Sequence, residues 1–291
     1  VLRLVLPKGS LERATLELFA AADLPVQRSS DVDYRGAIDD PRIESVRILR
    51  PQEIPLYVEQ GLFDMGVTGR DWIEETDASV TSLGVLHYSK ATSRPVRVVL
   101  AVAEGSPVRR VEDLPLGARV ATEYPGLTRR YLESRGVQAE VTLSHGATEA
   151  KVPDIADAVV EITETGRALR AAGLRIVETV IESYTELIAY PESARDDERR
   201  HAMDQIATLL QGTLEARGRV LVKLNVSAEQ FDSVAAVLPS MKAPTVSELV
   251  GRGGFAIETV VEKRQMNILI PALKDLGATD IVELPISKIV H

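Results

Sequence analysis

The stretch Asp157-Ala158-Val159-Val160-Glu161-Ile162-Thr163-Glu164-Thr165-Gly166-Arg167-Ala168-Leu169 decides how this chain is read. Its apolar run reads as a buried strand, with acidic residues at and just beyond its end. A turn of small residues then opens a helix, fitted at residues 165–172. Strand, tight turn and helix in that order are the unit of an α/β layer fold. Backbone N–H groups of residues 163–168 precede the helical ladder and are expected to converge on one spot, where the helix dipole favours an anion. Thr163 and Thr165 add hydroxyl donors, and Gly166 lets the backbone approach a ligand closely. Glu161 offers an acceptor that can take two hydrogen bonds from vicinal sugar hydroxyls. A phosphate on the turn and a carboxylate on a ribose is the pairing that a phosphorylated pentose needs. The same threonines would serve equally to cap a helix, with Glu161 left in solvent.

Outward from this segment the alternation continues. Residues 2–6 read as a buried strand, and Pro7-Lys8-Gly9-Ser10 as a loop whose Ser10 would N-cap a helix carrying Leu11, Ala14, Leu18 and Phe19. Residues 26–43 read as turns or a hairpin, 46–49 as a strand, 54–60 as a short helix closed by Gly61, and 65–67 as a strand. A second lobe is expected over residues 95–174, with strands at 96–103, 119–122, 140–143 and 156–162 and a helix at 127–135. The chain would then rejoin the first lobe, which therefore comprises residues 1–94 and 175–217. That gives an α/β, two-lobed, periplasmic-binding-protein-like core with a cleft and two crossing strands. Residues 196–217 form a long amphipathic helix, with Ile206, Leu209, Leu210 and Leu214 on one face and Gly218 at its end. Residues 218–291 follow as strand, helix, two strands around Gly251-Arg252-Gly253-Gly254, helix and strand. This is the βαββαβ order of a ferredoxin-like domain, which at about 75 residues can own a core.

Composition excludes several functions. With 34 Lys and Arg against 43 Asp and Glu, the net charge of −9 is the wrong sign for a broad nucleic-acid surface. Cysteine is absent, which removes disulfides, thiolate nucleophiles and Cys-ligated zinc. The run Val98-Val99-Leu100-Ala101-Val102-Ala103 is too short to span a bilayer, and residues 1–7 lack the apolar core of a signal peptide. A cytoplasmic protein without membrane or nucleic-acid partners is therefore expected. His87, His145, His201 and His291 show no metal-ligand spacing, and only His145, beside Gly146, falls near the expected cleft. Ser10, Ser144 and Ser183 lack a nucleophile-elbow context, so no covalent nucleophile is expected.

Four segments, in order along the chain, resemble the ATP phosphoribosyltransferases that open histidine biosynthesis, in their long form with a C-terminal regulatory domain. They are Leu4-Val5-Leu6-Pro7-Lys8-Gly9-Ser10-Leu11, the block from Leu49-Arg50-Pro51 to Thr68-Gly69-Arg70-Asp71, Ala121-Thr122-Glu123-Tyr124-Pro125, and the 157–169 stretch. The last resembles the family's loop for phosphoribosyl pyrophosphate (PRPP). The chain departs from the pattern at Ala168, where the family often has Thr, and at Ser10, where some members carry Arg.

The resemblance implies ATP and PRPP as substrates, held by Lys8, Arg50, Asp71, Tyr124, Asp157, Glu161, Thr163, Glu164, Thr165, Gly166, Arg167 and Ala168. It implies Mg²⁺ brought in with PRPP, feedback inhibition by histidine bound near Asn225, Met241 and Thr245, and dimers that assemble to a hexamer. Arg50 would present a planar fork to phosphate or make a surface ion pair. Asp71 would bind or simply cap a helix, Tyr124 would stack on adenine or fill the cleft wall, and Lys8 would meet pyrophosphate or stand exposed. Two rival readings share the fold, a solute-binding module and a noncatalytic paralogue.

Overall fold

A computed structural model describes residues 1–30, 32–88, 96–239, 243–251 and 253–291. Leu2–Pro7 (β1) is buried at all but one position, as a strand covered on both faces must be. It is followed by Glu12–Ala21 (α1), Arg35–Gly36 (β2), Ile43–Leu49 (β3), Ile54–Glu59 (α2), Met65–Gly69 (β4), Arg70–Thr76 (α3) and Thr81–Leu86 (β5). Ser10 does not cap α1. Leu11 holds the cap position without a side-chain bond, and Glu12 reaches back to accept the Gly9 N–H at 3.2 Å.

The chain continues through Val96–Ala103 (β6), Ala118–Thr122 (β7), Pro125–Ser134 (α4), Ala139–Leu143 (β8), Ala158–Thr163 (β9), Arg167–Ala171 (α5), Leu174–Ser183 (β10), Thr185–Ala189 (β11) and Asp197–Ala216 (α6). Two sheets result. The first runs β2-β3-β1-β4-β11-β5, and the second β10-β6-β9-β7-β8. The expected return at residue 175 is corrected here, because β10 pairs antiparallel with β6 in the second sheet. The chain changes sheets at Tyr184, the single residue between β10 and β11. No Gly or Pro separates these strands, so the sequence carried no punctuation there. The other boundary, at residues 94 and 95, falls outside the described residues.

The chain forms two compact units, Val1–Thr208 and Leu209–His291, a division that falls within α6 rather than after residue 217. The second unit contains Arg219–Ser227 (β12), Phe231–Val237 (α7), Thr245–Glu248 (β13), Gly254–Glu262 (β14), Met266–Asp275 (α8) and Thr279–Pro285 (β15). Its antiparallel sheet has the order β13-β14-β12-β15, which is ferredoxin-like. Val222, Leu224, Val226 and Ile257 on one face pack with Val234, Leu269 and Leu273 of the helices. No helix among the described residues is long and apolar enough to cross a membrane.

Asp64, just before β4, anchors the first sheet. It is 1% exposed and accepts bonds from the Arg3 backbone N–H at 2.9 Å, Arg3 Nε at 2.9 Å, Ser193 Oγ at 2.7 Å and Arg199 Nη1 at 3.2 Å. Burial works to raise this carboxyl, but the bonds from Arg3 and Ser193 prevail and hold it below the ordinary carboxylate range. A depressed carboxyl adds stability above its unfolded value, and that stability is lost as pH falls through the folded value. Asp64→Asn is therefore expected to cost about 3 kcal/mol at neutral pH, with the cost shrinking below about pH 4. Urea unfolding followed at Trp72, the single tryptophan, checks both.

Candidate active site

The ends of several strands meet around a cavity of about 400 Å³ between the two sheets, within the size range of small-molecule sites. Its lining includes Ser10, Gln52, Gly69, Asp71, Trp72, His87, Glu123, Tyr124, Thr163, Glu164, Ser183 and Tyr184. At its base Asp71, in the first turn of α3, is 4% exposed. Asp71 Oδ1 accepts from Ser183 Oγ at 2.6 Å and Oδ2 from the Tyr124 hydroxyl at 2.8 Å. The Asp71 N–H donates to Ser183 Oγ at 3.0 Å. Asp71 is thus a hub between the sheets rather than the cap, a position that Gly69 occupies. Gly69 is required there, since a Cβ would lie 2.1 Å from Asp71 Oδ1.

Burial pushes the Asp71 carboxyl up in spite of the bonds from Ser183 and Tyr124. Burial and the Asp71 charge push the Tyr124 phenol well above its ordinary range, so it stays a donor. Its ring lies 4.5 Å from that of Trp72, a packed pair. At 2% exposure Tyr124 is a wall of the cleft. Beside it the Glu75 carboxylate caps the other lobe's helix, accepting the Gly126 and Leu127 N–H groups at 3.0 and 2.8 Å.

The turn after β9 is differently bonded from the expected cradle. Gly166 takes a left-handed φ of 71°. Its N–H donates to Thr163 Oγ1 at 2.8 Å, and the Arg167 N–H donates to Thr165 Oγ1 at 3.4 Å. Two of the expected free donors are therefore satisfied by the turn's own hydroxyls. Thr163 and Glu164 reach the cavity, whereas Thr165, Gly166, Arg167 and Ala168 lie further along the turn and do not line it.

Glu161 is half-buried and does not line the cavity, although Ile162 beside it does. Burial, with Glu123 and Glu149 nearby, pushes its carboxyl up. Asp157 stands at the opposite end of β9, roughly 20 Å of strand from Thr163. There it makes a two-pronged pair with Arg119 at 2.8 and 3.2 Å. It braces β7 against β9 and has no place in the site.

Lys8 Nζ rests 4.5 Å over the Tyr34 ring, and Arg50 is exposed with no side-chain bond to a described residue. Neither lines the cavity, although Pro51 and Gln52 do. Trp72, Glu75, Ser183 and His87 were missed in the sequence. His87, rather than His145, is the histidine at the cleft. In the second unit Thr245 lines a pocket of about 430 Å³ with Leu221, Glu258 and His291. Asn225 is absent from its lining and donates to Asp280 at 2.9 Å. Met241 lies outside the described residues.

The family model described as ATP phosphoribosyltransferase matches residues 50–212, and that for the HisG C-terminal domain matches residues 216–288. The chain belongs to the ATP phosphoribosyltransferase family. Within that family it is 46% identical over 291 residues to the enzyme of Pelotomaculum thermopropionicum, covering 99% of each chain. It is 48% identical over 290 residues to that of Chlorobium phaeovibrioides, covering 100% of this chain and 98% of the relative. A chain of the HisG:HisZ complex from Thermotoga maritima matches with a TM-score of 0.62 and 28% identity, over 74% of this chain and 99% of that one. The protein is accordingly a phosphoribosyl-transferring enzyme of long form.

Tyr124→Phe keeps the ring against Trp72 but leaves Asp71 Oδ2 buried without its donor. Stability of the first unit is expected to fall by about 1–3 kcal/mol, while native Trp72 emission stays unchanged. Denaturant unfolding and fluorescence measure the two.

Proposed function

We propose that the cleft transfers the phosphoribosyl group of PRPP to N1 of ATP, as the first step of histidine biosynthesis. The C1–oxygen bond of PRPP breaks, pyrophosphate leaves with the bonding electrons, and N1 of ATP bonds to C1, giving phosphoribosyl-ATP. The observation that carries this reading is Glu161, half-buried at the cleft end of β9 and followed directly by the Thr163–Gly166 turn. A carboxylate there can accept both ribose hydroxyls. The two threonine hydroxyls that now hold the Gly166 and Arg167 N–H groups can hand them to a phosphate and add their own protons.

Positive charge develops on the ribose as pyrophosphate departs, and Glu161, Glu164 and Glu123 stabilise it electrostatically. Lys8 and Arg50 supply cations for the pyrophosphate. The exposed cation–π contact of Lys8 is worth about 0.5–1 kcal/mol and is readily released. Among the described residues no group of three His, Asp or Glu side chains could hold a metal ion. Mg²⁺ is written as part of the substrate, entering on PRPP. Positioning of two bound substrates, rather than covalent catalysis, accelerates the step. A cytoplasmic location and assembly of dimers to a hexamer accompany this reading.

Replacing Glu161 and Thr165 together with Ala is expected to raise the KM for PRPP at least tenfold, on the order of two lost charge-assisted bonds, and to leave the KM for ATP near its normal value. Near-ultraviolet absorbance of a mixture of ATP, PRPP and magnesium follows the reaction. Unchanged PRPP kinetics would remove the assignment. Because only the carboxylate accepts both hydroxyls, kcat/KM for PRPP should fall on acidification through a value above the ordinary glutamate range.

Histidine is the proposed feedback inhibitor, bound by the second unit around Thr245, which lines a pocket there. Inhibition requires different histidine affinities in two global states. Truncation after Arg217 is expected to abolish inhibition by histidine, measured by titration during turnover. Inhibition retained in that chain would place the effector elsewhere.

A further inference from the structure

The reaction above makes no use of the contact between α3 of the first lobe and α4 of the second. Helix α4 begins with Pro125, which has no N–H, and it has no capping side chain of its own. Its next two donors, the Gly126 and Leu127 N–H groups, go to Glu75 Oε1 at 3.0 Å and Oε2 at 2.8 Å. The Thr128 N–H then opens the helical ladder on the Tyr124 carbonyl at 2.9 Å. Every donor of the first turn is thus accounted for, and two of them are met from the other lobe.

The exchange runs both ways. Arg130 Nη2 of α4 donates to the Glu74 carbonyl in the last turn of α3, where a carbonyl lacks a helical partner. Trp72 of α3 packs against the core of the second lobe, which includes the Tyr124 ring. Gly126 lets the helices meet this closely, since a Cβ there would lie 2.6 Å from the Glu75 carbonyl oxygen. The chain just before α4 is fixed as well. The Tyr124 N–H is tied to Thr122 Oγ1 at 2.9 Å, and its hydroxyl to Asp71 Oδ2 at 2.8 Å. Glu123 and Tyr124, which line the cavity from the second lobe, are therefore held against Asp71 and Trp72, which line it from the first.

We propose that Glu75 is a positioning residue for phosphoribosyl transfer. By capping α4 from the first lobe, it sets the separation at which a reactant on that lobe meets PRPP on the other. The proposal rests on the reading above in placing PRPP on the second lobe. Lobes joined by crossing segments can rotate about them, and the α3–α4 contact restrains that rotation. Two bound substrates react quickly only in a near-attack geometry, where a misplacement of about 1 Å can cost on the order of 100-fold. A carboxylate suits the task, because its two oxygens take one N–H each and its charge lies at the positive end of the α4 dipole. Neither Glu75 nor Gly126 lines the cavity, so the effect reaches the reactants through Glu123 and Tyr124.

The test compares Glu75→Ala, Glu75→Gln and Gly126→Ala in the full chain, each assayed well below its own melting temperature. Steady-state kinetics, equilibrium dialysis of PRPP with magnesium, and acrylamide quenching of Trp72 are the readouts. Glu75→Ala is expected to lower kcat by about tenfold or more. The Kd for PRPP should stay within about twofold, since no group that holds it is removed. Trp72 should become more open to acrylamide as the Tyr124 ring draws away. Glu75→Gln keeps one acceptor for two N–H groups and should restore part of kcat. Gly126→Ala pushes α4 from Glu75 although Ala is the better helix former, so kcat should fall and quenching rise with α4 itself not weakened. Joined to Glu75→Ala, it should cost less than the two changes cost separately. If Glu75→Ala and Gly126→Ala keep kcat within about twofold, or lower it without opening Trp72 to acrylamide, the role of Glu75 is overturned. The Glu161→Ala and Thr165→Ala double variant separates this claim from the one beneath it. If that variant loses PRPP in dialysis while Glu75→Ala keeps kcat, the placement of PRPP stands and the role of Glu75 alone fails. If it binds PRPP as the unaltered chain does, the placement fails and the role of Glu75 with it.

Discussion

A carboxylate removed from water must be hydrogen-bonded, and the Asp71 carboxylate obtains its partners from two other parts of the chain. It belongs to the helix that follows β4, Ser183 to the last position of β10, and Tyr124 to the segment after β7. Satisfying one side chain thus brings the ends of strands from both sheets to a common point. Gly69 leaves room for it by lacking a Cβ, and the Trp72–Tyr124 ring pair seals it from one side. The cleft is what remains above this hub. Glu75 repeats the device a turn later by capping the helix of the opposite lobe.

The frame so built sets two kinds of charge close together. Carboxylates of Glu123 and Glu164 line the cavity, with Glu161 half-buried at the adjoining strand end, beside a turn that offers backbone N–H groups and hydroxyls. A phosphate alone would be repelled by such a site. A phosphorylated sugar that becomes cationic at its ring while its phosphate sits on the turn matches both parts. On the proposed reading, the acidic net charge of the chain is no obstacle to a polyanionic substrate, since one that enters with its own metal arrives partly neutralised.

Most strands were legible because buried β-strands leave continuous apolar runs, and β6 was read at its full extent. The topology was less so. Nothing in the composition of residues 174–189 marks where β10 gives way to β11, since polar and apolar residues run on through both without a Gly or Pro and the change of sheet occurs at a single tyrosine. Of the residues lining the cavity, Thr163 and Glu164 were legible from strand-end position and side-chain chemistry. Asp157 was misplaced because a motif runs along the chain while a strand carries its two ends to opposite edges of the sheet. Ser183, Trp72 and Glu75 were illegible because each acts on a partner distant in sequence.

The central claim is that the β9 end and its turn receive a sugar phosphate. A crystal structure grown with PRPP and magnesium tests it most directly. The account predicts the 5′-phosphate on the N–H groups of the Thr163–Gly166 turn, with the Thr163 hydroxyl swung from Gly166 onto a phosphate oxygen and both ribose hydroxyls on Glu161. A phosphate bound elsewhere, with the turn's internal hydrogen bonds still in place, would contradict it.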